Sequence, residues 1–219
     1  MNIRTLKKGI VVLMLLVVVS ALGFAFDLTN PTFTGGEWGR QGLRLHQTDT
    51  DAGIAKAYLQ YPQDGVVEYV FNARYEDGGQ DGHWGFGIQI FVDEAIGDRT
   101  WWGDGDSWLL WLNYDYAPEP DSFPAGFTAQ VYRSTANTEM EMVQYFDLTE
   151  YLSLLPIDDD APIINFRIQV NSDTGEARLY DPRNPNLYWP FTIPVDEPLE
   201  GDYAVLRTNS AAMSFGLGL

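Results

Sequence analysis

Residues 83–112, HWGFGIQIFVDEAIGDRTWWGDGDSWLLWL, hold five of the chain's seven tryptophans and set the reading of everything around them. In the first half Trp84, Phe86, Ile88, Ile90 and Val92 alternate with Gly85, Gly87 and Gln89. That period of two belongs to a strand with one face in a core. Residues 107–113 are apolar on both parities, with Trp108, Leu110 and Leu112 on one side and Leu109 and Trp111 on the other. Each side of such a strand needs a covering layer, or one side lines a groove. Between the two strands GDRTWWGDGD reads as a turn-rich loop carrying the adjacent indoles of Trp101 and Trp102.

Working outward, the 219 residues suffice for one sizeable domain or two very small ones, and no linker divides them. The formal charge is −18, from 31 acidic and 13 basic residues. A surface of that sign repels nucleic acid and anionic lipid, so neither is expected as a partner. Residues 1–26 have the order of a secretory signal: Arg4, Lys7 and Lys8, then an apolar run from Ile10 to Val19, then small residues at Ala21, Gly23 and Ala25. The competing reading of that segment is an uncleaved membrane anchor, since its apolar part borders on a spanning length. The signal reading leaves residues 27–219 as one exported domain, periplasmic or extracellular, with no stable membrane insertion. The chain has no cysteine, which removes disulfides, thiol nucleophiles and thiolate metal sites together.

Before the opening stretch, DLTNPTFTGG (27–36) is turn chemistry. Residues 42–47 place Leu43 and Leu45 inward with Arg44 and His46 outward, and residues 54–61 place Ala55, Ala57, Leu59 and Tyr61 on one face. The DTDAG between them starts like a calcium loop but lacks the later ligands, so it reads as a hairpin turn. Residues 66–75 alternate cleanly, with Val67, Tyr69, Phe71 and Ala73 inward.

After the opening stretch come a proline-punctuated loop at 118–124 and strands over 127–132 and 139–146. A short helix is expected from Asp147, where Glu150 completes a D-x-x-E capping box and Pro156 stops the helix. A hairpin then turns at NSDTG, with Ile164, Phe166, Ile168, Val170, Ala177 and Leu179 inward. DPRNPNLYWP (181–190) reads as a loop, and strands at 203–207 and 211–217 close the chain. Ten to twelve short strands and one connecting helix predict an all-β, two-sheet antiparallel sandwich or jelly roll.

At residues 164–180, INFRIQVNSDTGEARLY, and again at 203–215, the chain resembles the concanavalin A-like lectin and glucanase superfamily, in its laminin-G-like and secreted sugar-hydrolase-domain branches. The resemblance implies two antiparallel sheets, one of them curved with a concave glycan-binding face, and a final strand beside the first. It also directs attention to E-x-D-x-x-E, the arrangement of acids in the glucanase branch. Here that motif reads Glu139-Met140-Glu141-Met142-Val143-Gln144. Glutamine at the acid/base position cannot donate and recover a proton, which speaks against retaining hydrolysis through these residues.

The outward parities of the good strands collect Arg44, His46, Glu68, Asn72, Arg74, Gln89, Arg167, Gln169 and Arg178. Planar hydrogen-bonding groups of this kind suit sugar hydroxyls, and an indole suits the C–H face of the ring. The expected ligand-binding set is therefore Trp101, Trp102, Trp111, Gln89, Glu68, Arg74 and Arg167, with no catalytic residue. The alternative reading of these residues is an ordinary solvated polar face over core tryptophans.

Asp104 and Asp106 in GDGDSW are candidate calcium ligands, although the six to eight oxygens that calcium wants are not evident locally. His46 and His83 are too few and too far apart for zinc. No other cofactor is expected. Three functions stay open: an exported module binding carbohydrate or another envelope polymer; a structural protein assembling with other envelope proteins through its aromatics; and a glycoside hydrolase.

Overall fold

The computed structural model describes residues 30–78, 83–96, 101–115, 126–150 and 163–217. Within them the chain forms fourteen strands: β1 (Thr32–Thr34), β2 (Trp38–Gln41), β3 (Arg44–Gln47), β4 (Ala55–Gln60), β5 (Val66–Gly78), β6 (His83–Val92), β7 (Ser107–Asp115), β8 (Gly126–Ala136), β9 (Glu139–Asp147), β10 (Ile164–Asn171), β11 (Glu176–Asp181), β12 (Asn184–Thr192), β13 (Tyr203–Asn209) and β14 (Ala211–Leu217). They build two seven-stranded antiparallel sheets. The first runs β1-β4-β13-β6-β7-β8-β9 and the second β12-β11-β10-β5-β14-β3-β2. The expected two-sheet sandwich is what the chain forms.

Strand alternation explains why these two sheets pack. In β6, Trp84, Phe86, Ile88 and Ile90 point into the core, and in β7 so do Trp108, Leu110 and Leu112. The second sheet answers with Val67, Tyr69, Phe71 and Ala73 from β5 and Ile164, Phe166, Ile168 and Val170 from β10. Phe86 sits where the layers meet, its ring edge-on to Phe166 at 5.4 Å and to Phe215 at 6.3 Å. Rings in that geometry add about 0.5–1.5 kcal/mol per pair to the burial itself. The other parity of β7, Leu109 and Trp111, lies on the outer face of the first sheet, where both side chains are nonetheless buried.

Several expectations change. Fourteen strands replace the ten to twelve counted from the sequence. Leu43 is 74% exposed rather than inward, because it stands in the turn between β2 and β3, past Gly42 with its positive φ. The DTDAG segment is not a hairpin turn: β3 and β4 belong to different sheets, and the segment carries the chain between them. Asp49 shapes that crossing by accepting the Asp51 amide at 2.9 Å.

The segment 181–190, read as a loop, is mostly the edge strand β12, hydrogen-bonded to β11. Pro185 and Pro190 are tolerated there because an edge strand leaves half its amides unpaired. The final strand β14 pairs β3 and β5 rather than the first strand, so the implied neighbour relation is corrected. Asp147 does accept the Thr149 amide at 2.9 Å, as a cap would, and residues 149–150 are in 3₁₀ conformation. The rest of the expected helix, the loop at 118–124 and the segment 1–26 lie outside the described residues. Among the described residues no helix is long and apolar enough to cross a membrane.

Candidate functional site

The outer face of the first sheet is set by its cross-strand registers. One row runs Lys56 (β4), Arg207 (β13), Gly87 (β6), Trp111 (β7) and Gln130 (β8). The next row runs Tyr58, Val205, Gln89, Leu109, Tyr132 and, on β9, Met142. The two glycines of β6 make the room this face needs. A Cβ on Gly85 would stand 2.2 Å from Cζ2 of Trp111, so the indole lies directly over that glycine. Trp111 Nε1 donates to Asn113 Oδ1 at 3.2 Å, which fixes the ring's direction.

The loop carrying the tandem indoles closes over one end of this face. Gly103 donates to the carbonyl of Asn137 at 2.8 Å, Asp104 donates its amide to Ser134 Oγ at 2.9 Å, and Lys56 Nζ donates to the Gly103 carbonyl at 2.9 Å. Gly103 is obligatory at this contact, since a Cβ there would meet the Ala136 carbonyl oxygen at 1.8 Å. Asp104 turns inward, its carboxylate accepting from Lys56 Nζ at 3.1 Å and from the Tyr58 hydroxyl at 2.6 Å. Beneath the loop Gln89 Nε2 donates to Ser107 Oγ at 2.8 Å, and Ser107 Oγ donates to the Asp104 carbonyl at 2.8 Å.

Between loop and sheet lies a cavity of about 310 Å³ lined by Trp102, Leu109, Trp111, Tyr132, Thr138, Met140 and Arg207. Trp111 is buried in its floor and Trp102, 52% exposed, stands at its opening. The guanidinium of Arg207, fully buried, lies 5.2 Å from the Trp102 ring and 5.4 Å from the Trp111 ring. Its Nη1 donates to the Trp102 carbonyl. Burial pulls Arg207 down to about 10 from its ordinary value, against the pull of Asp104 in the other direction. Tyr132 donates to Gln130 Oε1 at 2.7 Å, and Gln130 donates to Thr128 Oγ1 at 2.9 Å, so a relay of polar groups leads from the cavity along β8. A concave, largely apolar wall with a few fixed polar groups is the form of a small-ligand site.

The residues expected to bind together are divided by the fold. Trp102 and Trp111 line the cavity. Trp101 is exposed on the same loop but forms no part of its wall, and Gln89 supports the loop from below. Glu68, Arg74 and Arg167 are on β5 and β10, on the outer face of the other sheet, and cannot reach the same ligand. There Glu68 accepts from Arg167 Nε at 2.7 Å, and the Arg167 guanidinium lies 4.3 Å from the Tyr180 ring.

Asp106 pairs with Arg133 and Asp104 with Lys56, and among the described residues no group of three or more acidic or histidine side chains could hold a metal ion. Met140 faces the cavity, so its neighbours Glu139 and Glu141 face the other way. Glu139 takes a hydrogen bond from Thr135, and Glu141 is opposite Arg133, whose guanidinium lies 5.0 Å from the core Trp108 ring.

Sequence reading passed over Lys56, Tyr58, Tyr132, Met140 and Arg207. The available signal was apolar residues on both parities of AKAYLQ and YAVLRTN, which buries whatever charge the strand contains.

Comparison with protein-family models and with curated proteins gives no match. Among solved structures, the CBM2 module of the evolved Dit of Lactobacillus casei BL23 phage J-1 superposes with a TM-score of 0.50 at 9% identity, over 85% of this chain and 81% of that one. The shared feature is the fold, a two-sheet antiparallel β-sandwich. A Bacillus subtilis protein of unknown function with a galectin-like fold aligns at 0.48 and 15% identity over 87% and 88% of the two chains. A lectin from Bauhinia forficata, solved with GalNAc, aligns at 0.45 and 11% over 89% and 97%. Identities this low speak to architecture alone. In this sandwich the cavity, with its overhanging indole and buried arginine, is built by the loop 101–106, by β7, β8 and β13, and by Thr138 and Met140 at the start of β9.

Proposed function

We propose that the chain is an exported, non-catalytic module that binds carbohydrate in the cavity between the loop 101–106 and the outer face of the first sheet. One observation carries the reading. Two indoles, Trp102 at the opening and Trp111 in the floor, bound a cavity whose polar groups are Arg207, Tyr132 and Thr138. A sugar presents a C–H face to an aromatic ring and hydroxyls to donors and acceptors around its rim, and this wall offers both. The carbohydrate-binding module and the lectin that share its architecture give the reading a precedent. Export rests on the basic, apolar and small-residue order of residues 1–26. Non-catalytic action rests on Glu139 and Glu141, whose strand parity turns them from the cavity.

The test is retention of the purified chain on a panel of immobilised polysaccharides, beside Trp111→Ala and Arg167→Ala. Retention of the parent and of Arg167→Ala, lost in Trp111→Ala, supports the cavity. Equal retention of all three, or none of the parent, removes it. Reducing-sugar release from any panel member would reinstate the hydrolase.

A specific observation also favours assembly. Val143 and Tyr145 on the edge strand β9, and Leu187 and Tyr188 on the edge strand β12, are exposed, and Phe146 and Phe191 bring those two edges to the same side of the sandwich. A concentration-dependent multimer on sizing chromatography, abolished by Tyr145→Lys, is the outcome that reading requires.

A further inference from the structure

The loop 101–106 is fastened on both sides of the cavity. From β4, Lys56 Nζ holds the Gly103 carbonyl and the Tyr58 hydroxyl holds the Asp104 carboxylate. From the β8–β9 side, the Asn137 carbonyl holds the Gly103 amide and Asn137 Oδ1 takes the Gly105 amide at 3.1 Å. Ser134 Oγ accepts the Asp104 amide and donates to the Gly105 carbonyl at 2.9 Å. Strands β4 and β8 have β13, β6 and β7 between them. At the usual strand spacing, the loop and the side chains that hold it bridge roughly 19 Å of sheet. Anything lying along the strands therefore meets loop backbone at that end. The way across the strands is closed as well. Arg207 Nη1 ties β13 to the Trp102 carbonyl, and Met140 Sδ, from the opposite wall, comes within 3.8 Å of the same Nη1. As the described residues build it, the cavity is a blind pocket rather than a through passage. Its volume of about 310 Å³ is at the small end of ligand sites, about 300–1,000 Å³, so it suits a short unit and not a run of sugars.

We propose that the cavity recognises the end of a glycan chain and excludes the interior of a polymer. This rests on the carbohydrate reading above and names the part of the substrate that the site takes. A sugar inside a polymer has a glycosidic neighbour on each side, and one of the two would have to pass through the fastened loop. A terminal sugar has a single neighbour, which leaves by the way the chain came in, past the exposed ring of Trp102. The loop does not part easily to admit an interior segment. Lys56, Asp104 and Ser134 are buried, and separating them would strand polar groups away from water. The indoles of Trp102 and Trp111 supply stacking faces for the terminal ring, and the closed end sets how far the chain can enter.

The experiment is isothermal titration calorimetry of the full chain with linear galactan, xylan, mannan and glucan, each as trisaccharide, hexasaccharide and long chain. A cyclic glucan, which has no end, is added to the set. Whichever glycan binds is expected to take one protein per molecule at every length. Its association constant per molecule is expected to stay within about twofold between hexasaccharide and long chain, because lengthening the interior adds no sites. If the ligand is a glucan, the ring is expected to bind about tenfold more weakly than the linear hexasaccharide, or not at all. All of these readings use the unaltered protein, so none depends on a variant folding. Several proteins on each long chain, or a ring bound as tightly as the linear hexasaccharide, overturns this inference and leaves carbohydrate binding standing. No binding of any of these glycans overturns it too, and if retention on the polysaccharide panel is also absent, the carbohydrate reading falls with it.

Discussion

Arg207 and Lys56 face each other across the β13–β4 ladder, both without solvent exposure, and the carboxylate of Asp104 lies 3.1 Å from the lysine. Like charges directly opposite each other on a sheet are unfavourable, so this pair depends on what surrounds it. Asp104 comes from the loop that carries the tandem indoles. The charge arrangement and the loop's position are thus one feature, and disturbing either disturbs the cavity.

Asp104→Asn tests that dependence. It removes the carboxylate charge that Lys56 contacts at 3.1 Å, and breaking a buried pair in this way costs about 3–5 kcal/mol. Urea unfolding is expected to show a loss of that order, and adding Lys56→Met to the variant to recover a large part of it. A loss under about 0.5 kcal/mol, the range of an ordinary surface change, would contradict the buried arrangement.

Gly85→Ala tests the floor. The added methyl carbon would overlap the Trp111 indole, whose Cζ2 is 2.2 Å away, so the ring must swing into the cavity or the strands must part. Overpacking of this kind costs about 1–3 kcal/mol. Retention on the polysaccharide that the parent binds is expected to fall sharply while circular dichroism stays that of a folded sandwich. Unchanged retention would mean that the indole's place on Gly85 does not matter to the site.

The two adjacent loop indoles are expected to behave differently although both are more than half exposed. Trp102 lines the cavity and stacks over Arg207, whereas Trp101 does neither. Trp102→Ala is expected to weaken glycan binding by about tenfold, near the upper end of what one aromatic contact contributes. Trp101→Ala is expected to leave it within about twofold, a few tenths of a kcal/mol. The reverse order in calorimetry would move the site to the loop's other side.

Alkaline pH gives a test of Tyr132. Burial pushes its phenol up to about 12, more than the neighbouring Arg207 charge lowers it. The unfolded chain loses that proton near 10 while the folded chain keeps it, so the folded state binds more protons across this window. Stability is therefore expected to fall as pH rises from about 10 towards about 12. Tyr132→Phe is expected to fall less steeply in chemical denaturation over that range. Identical slopes for the two proteins would show the phenol to be open to water.

Much of the sandwich was legible in the sequence because alternation is local. Trp84, Phe86, Ile88 and Ile90 declare an inward face within one strand, and Leu109 and Trp111 declare that the second face of their strand also needs cover. The hairpin at NSDTG could likewise be read from its own residues. The edge strand β12 could not, since its prolines and exposed side chains leave no alternation, and only pairing with β11 makes it a strand.

The sequence by itself determined the class of fold, the core faces of its central strands and the concentration of indoles around one loop. Those follow from the period of side chains along a strand, which neighbouring residues set. Only the tertiary structure decided which polar residues share a face: Gln89 on one sheet, Glu68, Arg74 and Arg167 on the other. It alone brought Lys56, Asp104 and Arg207 together from strands and loops far apart in the chain. Parity tells a side chain which way to point relative to its own strand, whereas the sheet to which the strand belongs is settled by pairing between distant segments.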